Sequence, residues 1–229
     1  MMKTLIVIPA YNEALSIESV IQDIEKNAPD VDYVIVNDGS KDNTLEIVEK
    51  NGFNCITCFL NLGLFGAVQT GFKYALDNNY DIAIQFDGDG QHSAEYINDL
   101  VKAIEEGNNI AIGSRFVTEK KPFTARMIGS RLISFAIFMV TGKKIKDPTS
   151  GFRAYGRQAI DDYALDMNNP PEPDSLVLML RKKMKIKEVQ VEMKEREFGE
   201  SYLNLSNTIK YMSRMLISIL LIQPFRKVK

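Results

Sequence analysis

The chain has little cysteine and little histidine, and this shortage removes one class of site. Its 229 residues include 2 cysteines and 1 histidine, too few ligands for a structural zinc site of four side chains. Cys55 and Cys58 fall in a predicted strand, where they would lie about 10 Å apart, too far for a mutual disulfide. We expect two small buried residues without chemistry, and a reducing compartment.

Net charge and long apolar runs are also lacking. A formal net charge of −2 gives no general polycationic surface, so nucleic acid is not an expected partner. The N-terminus shows no secretory signal pattern. The apolar runs at 132–140 and 215–222 are shorter than the roughly 18–20 residues of a spanning helix. Each run is interpreted either as a core helix or as a helix in a membrane interface, which its basic flanks favour.

Two common nucleotide-binding motifs are missing. The first strand is followed by Pro9-Ala10-Tyr11-Asn12-Glu13 where a Rossmann dehydrogenase would carry G-x-G-x-x-G, and no P-loop motif occurs. Tyr11 instead offers a flat face on which a base can stack. Asp38 precedes a turn glycine, where its carboxylate could accept hydrogen bonds from a base.

The first half of the chain alternates apolar β-type runs with helical patterns. The runs cover 4–8, 33–36, 54–59, 81–86 and 109–112, and the helical patterns cover 14–26, 42–50, 66–76 and 94–105. This alternation predicts an α/β fold with a largely parallel sheet. Ligands bind beyond the carboxyl ends of the strands in such sheets, and four polar clusters follow those ends.

The second half changes character after Arg115. Helices are predicted over 123–141, 157–165, 174–184 and 203–222, with a strand at 186–193 and a loop containing residues 147–153. We expect one catalytic domain over 1–202 and a C-terminal amphipathic helix with a basic tail over 203–229. Glu172 and Asp174, in a proline-rich break, either cap the next helix or contact a sugar, and the cap is preferred.

The most informative segment is Asp87-Gly88-Asp89-Gly90-Gln91-His92, which follows the fourth apolar run. Two carboxylates one residue apart can hold a hard divalent cation, with phosphate and water completing its coordination. The alternative interpretation is a solvated acidic turn.

Five motifs in order resemble family 2 glycosyltransferases. They are P-A-Y-N-E at 9–13, N-D-G-S-x-D-x-T at 37–44, D-G-D-G-Q-H at 87–92, G-S-R at 113–115 and D-x-T-S-G-F-R at 147–153. The chain is similar to the branch containing dolichyl-phosphate mannosyltransferase and bacterial polyprenyl-phosphate enzymes, from Thr4 to about Ser201. The resemblance implies a GT-A fold with a Rossmann-like sheet flanked by helices, and amphipathic interface helices in the C-terminal half.

The resemblance also implies residue roles on the sugar-donor side. The nucleoside would be held by Pro9, Ala10, Tyr11, Glu13 and Asp38. Mg²⁺ or Mn²⁺ and the donor phosphates would be held by Asp87, Asp89 and Gln91. A divalent ion suits this chemistry, because a departing nucleoside diphosphate gains negative charge.

On the acceptor side, the resemblance implies a phosphate clamp. The candidate side chains are Arg115, Arg126, Ser130, Arg153 and Arg196. Asp89 and Arg115 are the catalytic candidates. An alcohol acceptor needs a general base, whereas a phosphate monoester is already ionised at about pH 7. His92 belongs to the acidic motif and metal binding would weaken Asp89 as a base, so a phosphate acceptor is favoured.

We therefore expect an inverting, metal-dependent enzyme that moves a hexose from a UDP- or GDP-sugar to a polyprenyl phosphate such as undecaprenyl phosphate. It would be cytoplasmic and peripherally attached to the cell membrane. One alternative is transfer to a hydroxyl of a lipid-linked glycan or surface polysaccharide, and another is a non-catalytic nucleotide-sugar-binding protein. The apolar helices could also pair across a homodimer or with a small membrane protein.

Overall fold

A seven-stranded sheet forms the centre of the computed structural model, which describes residues 2–166, 170–194 and 205–227. The strands are β1 Thr4–Ala10, β2 Asp32–Asn37, β3 Cys55–Thr57, β4 Ile82–Gln85, β5 Ile110–Ser114, β6 Arg153–Gly156 and β7 Ile186–Gln190. The helices are α1 Ile17–Asn27, α2 Thr44–Lys50, α3 Gly63–Asp77, α4 Ile97–Glu105, α5 Ala125–Thr141, α6 Arg157–Leu165, α7 Ser175–Arg181 and α8 Leu205–Ile217. A short 3₁₀ turn precedes α4, and a π turn over Ser218–Ile222 continues α8 into a 3₁₀ turn.

The first half of the sheet is parallel, as the alternation of strands and helices predicted. The strand order is β3-β2-β1-β4-β6-β5-β7, and β1 pairs in parallel with β2 and β4. Every residue of β1 is buried. Leu5 and Val7 pack in the core cluster that includes α3, while Ile6 and Ile8 pack in the one that includes α1. The continuous apolar run therefore reflects a strand covered on both faces.

Strand β6 was missed by the sequence analysis, which assigned residues 147–153 to a loop. β6 runs antiparallel between β4 and β5, so Arg153 lies beside Gln85 and Ile112 near the ends of those strands. Its four residues, Arg-Ala-Tyr-Gly, lack the apolar pattern that marks the other central strands. The reversed direction places the preceding segment, residues 147–152, at the sheet edge where β4 and β5 end.

Helix α5 leaves much of its apolar surface uncovered. Thr124 caps the helix by accepting a hydrogen bond from the backbone N–H of Met127 at 3.3 Å. Ile133 and Ile137 are buried, whereas Phe135 and Met139 are more than half exposed. No helix within the described ranges is both long and apolar enough to cross a membrane.

Helix α8 packs against α5 and extends the main core. Met212 lies close to Gly129 of α5, where a Cβ atom would come within 2.9 Å of the Met212 Cγ. Met215 and Ile219 belong to the same buried cluster as the sheet residues Leu5 and Val7. The predicted domain boundary at 202/203 falls outside the described residues and stays a prediction.

The cysteines differ from expectation in two respects. Cys55 lies in β3 but Cys58 follows it, and both are half-buried instead of fully buried. Both thiols are free.

Candidate active site

The candidate site is the sheet edge where β1, β2, β4 and β5 end and β6 begins. Three segments meet there: the acidic turn (residues 87–92) after β4, the β5–α5 connection (residues 115–124), and the 147–152 loop before β6. The loop touches the turn directly, since a Cβ atom at Gly151 would lie 3.0 Å from the Asp87 Oδ2. Only glycine allows this approach without displacing the carboxylate.

The acidic turn is organised by contacts within it and with adjoining residues. The backbone N–H of Asp87 donates to the His92 Nδ1 at 3.0 Å, and the Gln85 Nε2 donates to the Asp87 Oδ1 at 3.1 Å. The backbone N–H of Gln91 donates to the Asp89 Oδ1 at 3.1 Å. His92 is buried, and its ring stacks on Phe152 at a centroid distance of 4.8 Å. His92 therefore supports the turn from beneath.

The turn is also fixed against the end of β1 and the start of α1. The hydroxyl of Ser16 donates to the carbonyl of Gly88 at 2.8 Å. A Cβ atom at Gly88 would lie 3.1 Å from the carbonyl oxygen of Pro9. The acidic turn and the Pro9–Glu13 segment are thus close neighbours, as their position at strand ends predicted.

The chemistry of the turn fits a divalent cation shared with a substrate. Asp87 and Asp89 supply carboxylate oxygens and Gln91 an amide oxygen, which suit Mg²⁺ or Mn²⁺. Among the described residues, no group of three or more His, Cys, Asp or Glu side chains could hold a metal. Mg²⁺ in nucleotide sites is commonly held by one or two carboxylates together with substrate phosphates. Two carboxylates at an open turn match that kind of site.

The residues predicted to hold the nucleoside separate into buried and exposed groups. Pro9 and Ala10 lie within β1 and are buried, and their nucleoside-binding roles stay predictions. Tyr11 is 39% exposed, so its side chain is partly accessible to solvent. The Glu13 Oε2 lies 3.0 Å from the Ser16 Oγ, next to the start of α1.

Asp38 has a structural contact that the sequence did not predict. It is 2% exposed, and its Oδ1 accepts a hydrogen bond from the backbone N–H of Leu62 at 2.7 Å. That bond holds the chain before α3 against the end of β2. Base recognition by Asp38 therefore stays a prediction for its other carboxylate oxygen.

Arg115 is oriented by a buried acid on the 147–152 loop. Its Nε donates to the Asp147 Oδ2 at 2.8 Å and its Nη2 to the Asp147 Oδ1 at 3.0 Å. Asp147 is fully buried, and its backbone N–H donates to the Glu188 Oε1 at 2.7 Å. A guanidinium has five N–H donors, so this bidentate pair leaves others for a ligand.

Ser130 lies in a polar cluster that includes a lysine absent from the sequence analysis. The Lys121 Nζ donates to the Ser130 Oγ at 2.8 Å, and the hydroxyls of Ser130 and Thr149 are 3.2 Å apart. Burial lowers the pKa of Lys121, against the opposing effect of the Asp147 carboxylate. Lys121 stands outside the five motifs, so only the folding of the β5–α5 connection onto α5 reveals this contact.

Arg153, which was predicted to bind the acceptor phosphate, has a structural role instead. It is 1% exposed. Its Nε donates to the carbonyl of Ser150 at 2.8 Å, its Nη2 to that of Pro148 at 2.6 Å, and its Nη1 to that of Pro171 at 3.3 Å. Each nitrogen of the guanidinium therefore donates a hydrogen bond to a backbone carbonyl. Its role is to hold the 147–152 loop in shape.

The other two predicted arginines fall outside the described side chains. The backbone of Arg126 lies in the first turn of α5, but its side chain is outside the described part of the structure, as is all of Arg196. Their acceptor-phosphate roles stay predictions.

The preferred helix-cap interpretation of Asp174 is wrong. Asp174 precedes α7 but makes no side-chain capping bond. Its Oδ2 instead accepts hydrogen bonds from Ser218 and Gln223, and Glu172 pairs with Arg214. Both acids therefore fasten the C-terminal helical segment to α7.

The sequence matches one family model and several named relatives. The family model described as Glycosyl transferase family 2 matches residues 5–164. A dolichol-phosphate mannosyltransferase from Pyrococcus furiosus is 33% identical over 224 residues, covering 92% of this chain and 62% of that protein. An undecaprenyl-phosphate mannosyltransferase from Micrococcus luteus is 30% identical over 212 residues, covering 87% of each.

A solved structure has the same fold. Glucosyl-3-phosphoglycerate synthase from Mycobacterium tuberculosis, crystallised with Mn²⁺ and UDP-glucose, superposes with a TM-score of 0.70 and 18% identity. The match covers 97% of this chain and 79% of that one. The predicted GT-A fold, with its largely parallel sheet flanked by helices, is thereby confirmed.

Proposed function

Because the chain belongs to glycosyltransferase family 2, we propose that it transfers a hexose from a nucleoside-diphosphate sugar to a polyprenyl phosphate. The chain is a glycosyltransferase, and the relatives from P. furiosus and M. luteus bear names of enzymes that use dolichol phosphate and undecaprenyl phosphate. The proposal rests on one observation: the acidic turn and the cationic β5–α5 connection lie at the same sheet edge. The 147–152 loop joins them at one sheet edge.

On the sugar-donor side, Asp87, Asp89 and Gln91 would hold Mg²⁺ or Mn²⁺. The ion would supply positive charge to the departing diphosphate. The M. tuberculosis enzyme bound Mn²⁺ with UDP-glucose, which supports a UDP-sugar as the first donor to test, with a GDP-sugar as the alternative. Tyr11 is accessible for stacking against the base.

On the acceptor side, Arg115 would bind the phosphate while Asp147 fixes its guanidinium. An oxygen of the ionised phosphate attacks the anomeric carbon, and the bond from that carbon to the diphosphate breaks. The nucleoside diphosphate leaves with the electron pair of that bond. Attack opposite the leaving group inverts the anomeric centre. The acceptor oxygen carries no proton to remove, so the step needs no general base.

The acceptor lipid also requires the protein to reach a membrane surface. Helix α5 exposes Leu132, Phe135 and Met139, and Lys143 and Lys144 follow its end. An apolar face with basic flanks suits peripheral contact with an anionic bilayer. We propose that this contact is made on the cytoplasmic side, where nucleotide sugars are available.

The test is transfer of labelled sugar from UDP- and GDP-sugars to undecaprenyl phosphate in liposomes, with Mn²⁺, Mg²⁺ or EDTA. Metal-dependent label in the lipid phase is expected. Label that reaches only lipid-linked glycans would move the acceptor to a hydroxyl. Donor binding without any transfer would indicate the non-catalytic alternative.

A further inference from the structure

We propose that Lys121 is an additional phosphate-binding residue, which contacts the acceptor phosphate together with Arg115. The inference rests on the proposed function, because it names a residue for the acceptor of that reaction. Lys121 belongs to none of the motifs that the family resemblance assigned.

The ammonium group of Lys121 lies beside two serine hydroxyls of α5. Its Nζ is 2.8 Å from the Ser130 Oγ and 3.5 Å from the Ser134 Oγ. An ammonium has three N–H donors, so these two bonds leave one for a ligand oxygen. Both cations lie near the Phe116 ring, whose centroid is 5.3 Å from the Lys121 Nζ and 5.2 Å from the Arg115 Cζ.

A short path connects this lysine to the acidic turn. The Ser130 hydroxyl contacts the Thr149 hydroxyl, which donates to the Asp147 Oδ1 at 3.2 Å. Thr149 is two residues from Gly151, which abuts the Asp87 carboxylate. Two residues span at most about 7 Å. Lys121 is therefore linked to Asp87 through the 147–152 loop, at the sheet edge that holds the proposed donor site.

The backbone around Lys121 is held in place by other parts of the chain. Arg131 donates to the carbonyls of Lys121 and Pro122. Earlier in the connection, the Lys146 Nζ donates to the carbonyl of Val117 at 2.6 Å, and the Gln190 Oε1 accepts from the backbone N–H of Thr118 at 2.9 Å. A cation held in advance loses less entropy when it binds a phosphate.

The local charge balance favours an added anion. Among the described residues, Arg115, Arg131, Asp147 and Glu188 are charged side chains that affect the pKa of Lys121. Within this group, and counting Lys121 itself, three cations face two carboxylates. Asp147 is occupied by Arg115, and Glu188 accepts the backbone N–H groups of Lys146 and Asp147. A phosphate monoester would supply the missing negative charge.

The test compares binding of farnesyl phosphate and farnesol to the full-length protein by calorimetry. Farnesol has the same chain without the phosphate. We expect Lys121→Met to weaken farnesyl phosphate about tenfold, from the loss of a charge-assisted hydrogen bond, and to leave farnesol unchanged. Lys121→Arg should restore most of the affinity. Lys120→Met is the matched control, since Lys120 is the exposed neighbour.

Kinetics separate the failure of this inference from failure of the proposed function. In lipid-labelling assays, Lys121→Met should raise the KM for undecaprenyl phosphate and leave the KM of the nucleotide sugar unchanged. Equal affinity of wild type and Lys121→Met for farnesyl phosphate would overturn the lysine assignment while wild-type transfer stands. If wild type neither labels lipid nor binds farnesyl phosphate, both proposals fail. If Lys121→Met has a lower Tm and binds farnesol and farnesyl phosphate equally less tightly than wild type does, the lysine has only a structural role.

Discussion

The two sides of the candidate site lie on one sheet edge but are built differently. The acidic turn takes its carboxylates, and several of the hydrogen bonds around them, from residues 85–92, which are close together in sequence. The acceptor side brings Arg115 to Asp147 across 32 positions, and Lys121 to Ser130 across 9. A site made from one short segment can be found by its motif, whereas a site assembled across the chain becomes visible only in the folded protein.

The largest effect is expected on the sugar-donor side. Asp89→Ala should reduce lipid labelling by about 1,000-fold or more, since a divalent ion supplies several kcal/mol of charge stabilisation. The measurement is transfer with saturating Mn²⁺. Asp99→Ala is the control, because Asp99 is exposed in the first turn of α4. Undiminished turnover in Asp89→Ala would refute the metal role.

The next largest effect tests the reassignment of Arg153. Arg153→Met removes the donors to three backbone carbonyls, so it should lower the free energy of unfolding by about 2–4 kcal/mol. Urea denaturation measures this loss. The KM for undecaprenyl phosphate at low temperature should stay near the wild-type value. A raised acceptor KM with unchanged stability would restore the original phosphate-binding prediction.

A smaller effect is expected at the acid that orients Arg115. Asp147→Asn loses the ionic part of a bidentate pair worth about 1.5–3 kcal/mol, so kcat/KM for the acceptor should fall about 10- to 100-fold. The KM for the nucleotide sugar should not change. Asp161→Asn is the matched control, because Asp161 pairs with Arg157 at a half-exposed surface position. Equal losses for both substrates would show that Asp147 supports the whole edge instead of Arg115 alone.

The smallest effect concerns stability away from the site. Burial raises the pKa of Glu172 from 4.5 to about 7, against the opposing charge of Arg214. The native state then binds more protons than the unfolded chain between these values. This group therefore lowers stability as pH rises from about 4.5 to about 7.

Glu172→Gln should accordingly gain stability relative to wild type as pH rises through that window. We expect about 1 kcal/mol after allowing for solvent screening at the exposed Arg214. Thermal unfolding at pH steps from about 5 to about 8 measures the difference. Glu106→Gln, at a surface pair with Lys187, is the control. A constant difference between Glu172→Gln and wild type across this range would contradict the raised pKa.

Sequence alone determined the features that depend on neighbours along the chain. The run Leu5-Ile6-Val7-Ile8 predicted the first strand, and its uninterrupted apolar character is explained by burial on both faces, because side chains alternate between the faces of a strand. The D-G-D-G-Q-H motif predicted two carboxylates at a strand end, because the position follows directly from the strand before it. The family resemblance and the parallel half of the sheet followed from such local patterns.

Only the tertiary structure decided the features that depend on partners far apart in sequence. β6 has the sequence Arg-Ala-Tyr-Gly. It forms a strand because its backbone pairs with β4 on one side and with β5 on the other. Arg153 is interior because three carbonyls surround its guanidinium, and Asp174 fastens the C-terminal segment because Ser218 and Gln223 reach it. A charged side chain looks the same in sequence whether it faces a ligand or a carbonyl. Burial and hydrogen-bond partners make that distinction, and packing alone supplies them.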